Sequence, residues 1–202
     1  MHIDYYLAAQ SPWAYLGHSR FAELVRAAGA TVRVLPVDFG KVFAVSGGLP
    51  LAQRAPQRQA YRLVELQRFS RWLQLPLNLQ PKHFPVPGGA ASRLILTVEQ
   101  QHGSDAAMRL TGAVLAGVWA DQLNIDDAPT LRALLQRCGL PASCHDDAQA
   151  PDATARYDAA TQQAIDAGVF GAPSWVIDGE IFWGQDRLDF VERRLALPHQ
   201  RQ

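Results

Sequence analysis

Cysteine is scarce in this chain: Cys138 and Cys144 are the only two among 202 residues. That count excludes a disulfide-stapled framework for a protein of this length. With His145 and Asp146 nearby, their spacing still fits no common zinc-finger pattern, so no metal site is expected. Lysine is rare too, since Lys41 and Lys82 are the only lysines among 19 basic residues. Charge of one sign is not in excess. The 19 acidic residues balance the basic ones, which removes the electrostatic basis for a nucleic-acid or anionic-membrane partner. Long hydrophobic runs are missing, and no window approaches the ~20 apolar residues of a membrane span. The opening "MHIDYYLAAQSP" has no basic start, extended apolar stretch or small-residue cleavage site, so a cytoplasmic protein is expected.

What is present reads as a globular α/β chain. "HIDYYLA" is a buried strand, and Pro12 opens a helix over "SPWAYLGHSRFAELVRAAG" with Gly29 as its stop. "TVRVLPVDF" alternates like a second strand, and the strand-helix-strand order favours a parallel pair. "GKVFAVSGGLPLAQRAP" reads as a connection, "QRQAYRLVELQRFSRWLQL" as a helix and "PLNLQPKHFPVPGGA" as a proline-rich loop. Four more helices follow, with Asp127 and Pro129 opening one and Gly139 and Gly168 as stops. The acidic "CHDDAQAPD" reads as a solvated loop. "PSWVID", the turn "DG" and "EIFWG" form a hairpin, and "QDRLDFVERRLAL" closes with an amphipathic helix. The expected fold is an α/β domain, residues 1–38 and 169–202, interrupted by an all-helical insertion over 39–168.

Three stretches can carry chemistry. Ser11 followed by Pro12 is a good helix cap, worth about 1 kcal/mol. The same helix N-terminus also stabilises a thiolate placed against it. Pro173 in "FGAPSW" is either an edge proline or a cis proline that turns the Ala172 backbone towards an extended peptide. Gln185 and Asp186 in "FWGQDRLDF" either start a helix or hold a zwitterionic amino-acid end, carboxylate on the helix N-terminus and ammonium beside Asp186. A Ser11 nucleophile of its own would need a base and an elbow motif that the chain lacks. Disulfide exchange is disfavoured because Ser11 and Ala14 stand where a Cys-x-x-Cys pair would be.

Taken in order, "SPWAYL", "PKHFP" and "VFGAPSWVIDGEIFWGQDRLDFVE" resemble one family over nearly the whole chain. It is the branch of the thioredoxin fold that holds 2-hydroxychromene-2-carboxylate isomerases and kappa-class glutathione transferases, related to disulfide oxidoreductases with a helical insert. The resemblance implies glutathione as cofactor. Ser11 would stand in place of the first redox cysteine and donate a hydrogen bond to the glutathione thiolate. Ala172 beside a cis Pro173 would pair with the cysteinyl part, Gln185 and Asp186 would hold the γ-glutamyl end, and Gln53 would add a contact. Relatives carry Ser or Asn where Gln185 stands, Asn near Gln53, and often an Asp near Ala8 or Ala9. The implied reaction interconverts 2-hydroxychromene-2-carboxylate and trans-o-hydroxybenzylidenepyruvate by reversible thiol addition, in a homodimer. For the small aromatic keto-acid substrate, candidate contacts are Trp13, Phe84 and Trp183 for the ring, together with Phe43 and Tyr61. Lys41 and Lys82 are candidates for its carboxylate and His83 for proton transfer. A kappa-like transferase acting on another electrophile and a non-catalytic glutathione-binding module are the rival readings.

Overall fold

The structure, a computed structural model, describes residues 1–196, so residues 197–202 of the expected split domain and the last residue of the expected closing helix lie outside it. Strand β1, His2–Leu7, pairs in parallel with β2, Thr31–Pro36, in the register Ile3 to Val32 and Tyr5 to Val34. Helix α1, Pro12–Ala28, makes the crossover. Its start is built locally: Ser11 is extended, its Oγ accepts the Ala14 N–H at 3.2 Å, and Pro12 sits where no N–H is needed. Gly29 ends it at φ +59°, with its N–H returned to Arg26 O. The other edge of β1 pairs antiparallel with β3, Ser174–Ile177, which turns into β4, Glu180–Trp183. Asp178 and Gly179 take φ of 49° and 82°, the geometry expected of a tight Asp-Gly hairpin. The sheet order is β2-β1-β3-β4.

Alternation splits β1 between two layers. Ile3, Tyr5 and Leu7 face one cluster, where Tyr5, Phe21 and Trp175 pack with ring centroids 4.9 to 5.8 Å apart. The final helix α9, Leu188–Ala196, joins that layer through Leu188 and Val191. Tyr6 faces the opposite cluster with Leu35, Val42, Ala160 and Ala164. The helices between the strands are α2, Phe39–Ser46; α3, Pro56–Leu73; α4, Gly89–His102; α5, Ser104–Trp119; α6, Ala128–Arg137; α7, Ser143–Asp147; and α8, Pro151–Asp166. Helices α4 and α5 lie against β2. Leu94, Leu110, Trp119 and Leu134 continue the cluster that holds Ile3 and Tyr5, so insertion and sheet share one core.

Two segments differ from the sequence reading. The connection expected after residue 39 contains α2 and a 3-10 turn at Leu51–Gln53, and β2 stops at Pro36 rather than running on through Phe39. The α2 helix is only eight residues long and carries Gly40, so its own periodicity is weak. Burial of Phe39 and Val42 against the sheet holds it, and Asp38 caps it by accepting the Gly40 N–H at 2.8 Å. The "CHDDAQAPD" stretch is likewise no solvated loop. It forms α7, with Cys144 and His145 buried, and then opens α8 at Pro151.

His18 couples α1 to α5. Its Nε2–H donates to Met108 O at 2.9 Å, Nδ1 lies 3.5 Å from Tyr5 Oη, and Gly112 leaves room for the ring. Burial pushes its pKa down to about 4. The unfolded chain takes up this proton near pH 6.5 and the folded chain does not, so stability is lost as pH falls from about 6.5 towards 4. Urea unfolding should therefore show the decline between pH 7 and pH 5 reduced by about 2 kcal/mol in His18→Gln. Parallel declines in the two proteins would remove His18 from the account.

Candidate functional site

Strands β1, β2 and β4 point the same way and β3 opposes them. The chain therefore leaves three strands, and enters the fourth, at one end of the sheet. Residues 8–11, 37–38, 171–173 and 184–187 gather there. Ser11 lies among them, almost wholly buried, at the N-terminus of α1. Its backbone N–H donates to Ala8 O at 2.9 Å and its Oγ takes the Ala14 N–H. Among the described residues nothing accepts its O–H, so one proton is free to donate outward.

The Ala172–Pro173 peptide is cis, one of the two alternatives open from the sequence, and Phe84–Pro85 is cis as well. Pro173 O accepts the Gly184 N–H at 2.9 Å and Gly171 O accepts the Ser174 hydroxyl at 2.7 Å, which ties this loop to the end of β4. The Ala172 backbone makes no backbone hydrogen bond among the described residues. Trp183 is half exposed, 4.9 Å from Phe170, and covers Gly171 so closely that a Cβ there would sit 2.2 Å from its indole nitrogen. Gln185 is buried against α1, where Gly17 makes room: a Cβ at 17 would lie 2.9 Å from that of Gln185. Asp186 is exposed and accepts from Arg187 at 2.6 Å.

Beside Ser11 a cleft of about 400 Å³ opens between Gln10, Asp38, Phe39, Phe43, Gly88 and Tyr157. Burial first, and the Asp38 charge second, push the Tyr157 hydroxyl up to about 12, so it stays protonated at neutral pH. Gln53 follows Pro50 and Leu51, which border the cleft, and is itself exposed. A larger hollow of about 570 Å³ beside Pro129, Arg132 and Leu140 contains none of the candidate site residues.

The aromatic candidates separate. Trp13 packs edge-on against Phe69 at 6.1 Å, on the α1 side of the helical block. Phe84 lies 4.8 Å from Trp119, whose indole N–H donates to Gln10 O at 3.2 Å, so these rings back the Gln10–Ser11 segment. Tyr61 is exposed on α3. Lys41 is exposed and donates to Asp158 at 2.7 Å, a bond that raises its pKa. Lys82 is exposed and His83 half-buried on the loop before Phe84. Sequence reading missed Gln10, Asp38 and Tyr157. Asp38, capping α2, had a local signal; Tyr157 reaches the cleft only because α8 packs under α2.

Among the described residues no group of three or more His, Cys, Asp or Glu side chains is placed to hold a metal ion, and no helix is long and apolar enough to cross a membrane. Comparison with known proteins gives three findings. A profile described as the DSBA-like thioredoxin domain matches residues 2–196. A 2-hydroxychromene-2-carboxylate isomerase of Pseudomonas sp. (strain C18) is 32% identical over 201 residues, covering 96% of this chain and 90% of that protein. The solved structure of a 2-hydroxychromene-2-carboxylate isomerase superposes with a TM-score of 0.77 at 27% identity, covering 96% of this chain and 94% of the other. At the level of fold alone, a cytosolic disulfide reductase, DsbM, of Pseudomonas aeruginosa solved with GSH superposes with a TM-score of 0.69 at 16% identity, covering 98% and 100%.

Because Asp38 caps the helix that walls the cleft, Asp38→Ala should lose the Gly40 bond and lower stability by about 1 kcal/mol. Hydrogen exchange should quicken in 39–46 well before the sheet. Equal protection of α2 in both proteins would show that the cap is not what holds it.

Proposed function

The chain belongs to the DSBA-like thioredoxin domain family, and we propose that it is a glutathione-dependent isomerase of an aromatic keto acid, interconverting 2-hydroxychromene-2-carboxylate and trans-o-hydroxybenzylidenepyruvate. One observation carries the reading. Where disulfide-exchanging members of this fold need a thiol, this chain has Ser11, with its O–H unspent at a helix N-terminus and at the same end of the sheet as an open backbone edge at Ala172. With no cysteine at position 11 or 14, the sulfur must come with a ligand. The isomerases that share 27% to 32% identity with the chain support the choice of reaction.

Glutathione, when bound, supplies a thiolate that adds reversibly to the conjugated double bond of the substrate, leaving a rotatable single bond until it departs unchanged. The protein's own parts prepare that sulfur. Ser11 donates its free O–H to it while its oxygen remains committed to Ala14, and the α1 N-terminus adds a positive field. Ala172 N–H and C=O pair with the cysteinyl backbone as an added strand would. Gln185 and Asp186 hold the γ-glutamyl end and Gln53 adds a polar contact from the 3-10 turn. Residues 1–38 with 169–202 serve as the glutathione-holding part, and the helical 39–168 covers the substrate. Around the substrate, Trp13, Phe84 and Trp183 offer ring surfaces, Lys41 and Lys82 positive charge, and His83 a proton carrier. The working form is a cytoplasmic homodimer.

The test follows absorbance during interconversion of the two acids, with and without glutathione, in the wild type and Ser11→Ala. Conversion should require glutathione and fall about 100-fold in the variant, as for loss of one donor aimed at developing charge. Glutathione binding without conversion would hand the site to a transferase or a binding module, and no binding would leave Ser11 a helix cap.

A further inference from the structure

Arg62, on α3, is a cation without an anion. It lies over the Phe84 ring at 5.5 Å and the Trp119 ring at 5.6 Å, half-buried between α3 and the loop that carries Phe84. Among the described residues no carboxylate sits within 4 Å of it, and nothing accepts its N–H groups. Among the described residues every other half-buried arginine has a hydrogen-bond partner. Arg33 closes a two-point pair on Asp4 at 2.8 and 2.9 Å, and Arg54 donates to Leu49 O at 2.9 Å. Burial, helped by the neighbouring Arg54 charge, pushes the Arg62 pKa down to about 10, so it keeps its proton at neutral pH.

Ring faces offset part of the cost of drawing a guanidinium from water, but they engage its face and leave its five in-plane donors unused. Arg62 and the neighbouring Arg54 carry no counter-charge among the described residues, so this part of the surface is electropositive and suits an anion. The place of this charge is telling. Trp119, which Arg62 covers, donates to Gln10 O next to Ser11, and the Phe84 loop continues to Gly88 on the cleft. Lys41, the alternative cation, is already held by Asp158.

We propose that Arg62 binds the carboxylate of the aromatic acid substrate, with Phe84 and Trp119 as the apolar wall behind it. The assignment rests on the reading of the site as one for an aromatic keto acid. A planar guanidinium matches a carboxylate at two points, which a lysine does not, and so fixes the acid's plane as well as its position. The same chemistry would suit the glycyl carboxylate of glutathione; the half-buried Phe84 ring beside the guanidinium favours the aromatic acid.

The experiment titrates trans-cinnamate and, as the uncharged control, cinnamide into the glutathione-loaded protein by calorimetry, and glutathione alone into the free protein. Wild type, Arg62→Met and Arg62→Lys are compared, with circular dichroism confirming their folds. Cinnamate affinity should fall about 10-fold or more in Arg62→Met and recover in part in Arg62→Lys, while cinnamide and glutathione are unaffected. KM for 2-hydroxychromene-2-carboxylate should rise in step, more than kcat falls. Unchanged cinnamate binding overturns the proposal, and a loss confined to glutathione overturns it by giving the charge to the glycyl end. Should Arg62→Met not fold, equal cinnamate affinity in Arg62→Lys and wild type overturns it, because the lysine keeps charge but not the two-point match. Cinnamate binding needs no turnover, so an inactive wild type would defeat the isomerase reading and leave Arg62 decided separately.

Discussion

Strand β1 is hydrogen-bonded along both edges, in parallel to β2 and antiparallel to β3, and its residues Ile3, Tyr5, Tyr6 and Leu7 have no water contact at all. Each such side chain contributes about 1.5–3 kcal/mol of burial, and none can be traded without disturbing a layer on one side or the other. The direction of this strand determines everything that follows it. A parallel neighbour demands a long crossover, which puts the start of α1 at the end where β1 leaves the sheet. An antiparallel neighbour brings the segment before β3 back to that same end. Ser11 and Ala172 share one end of the sheet because one strand is paired in two senses.

Ser11 shows how structural and chemical tasks share an atom. Its oxygen lone pair satisfies a helix N–H that would otherwise be orphaned, and that bond holds the hydroxyl in one orientation. The proton is what remains. A side chain whose rotamer is fixed by its structural duty loses little further freedom when it donates to a ligand, the advantage that preorganised donors have over mobile ones. Gly17 and Gly171 act in the same spirit by omission. The missing Cβ at 17 lets Gln185 close on α1, and the one at 171 lets Trp183 lie over its loop.

Much of this was legible in the sequence wherever the signal is local. Ser11 with Pro12, Asp127 with Pro129 and the Asp178–Gly179 turn each act within a few residues, and the structure has all three. The α/β arrangement with its helical insert could be read from the order of such signals, and its thioredoxin-like character from the resemblance of the longer motifs. Helices α2 and α7 could not, since burial against distant segments, rather than their own composition, holds eight and five residues in helical form. The setting of Arg62 was equally hidden. Nothing within one turn of it announces that rings from positions 84 and 119 will close over it, or that Trp119 will in turn grip Gln10.

The shared end of the sheet also imposes an order of assembly. β1 is made well before its second partner, β3, which follows every helix of the insertion. Until then one edge of an apolar strand stays unpaired, and unpaired edges recruit other chains. The helices that rest on β2 can gather early through local contacts, whereas the β1–β3 ladder must close a loop of more than half the chain. A nascent molecule of this protein is therefore a helical body with an open seam, and the stitch that closes the seam is the same one that brings Ala172 to the Ser11 end of the sheet.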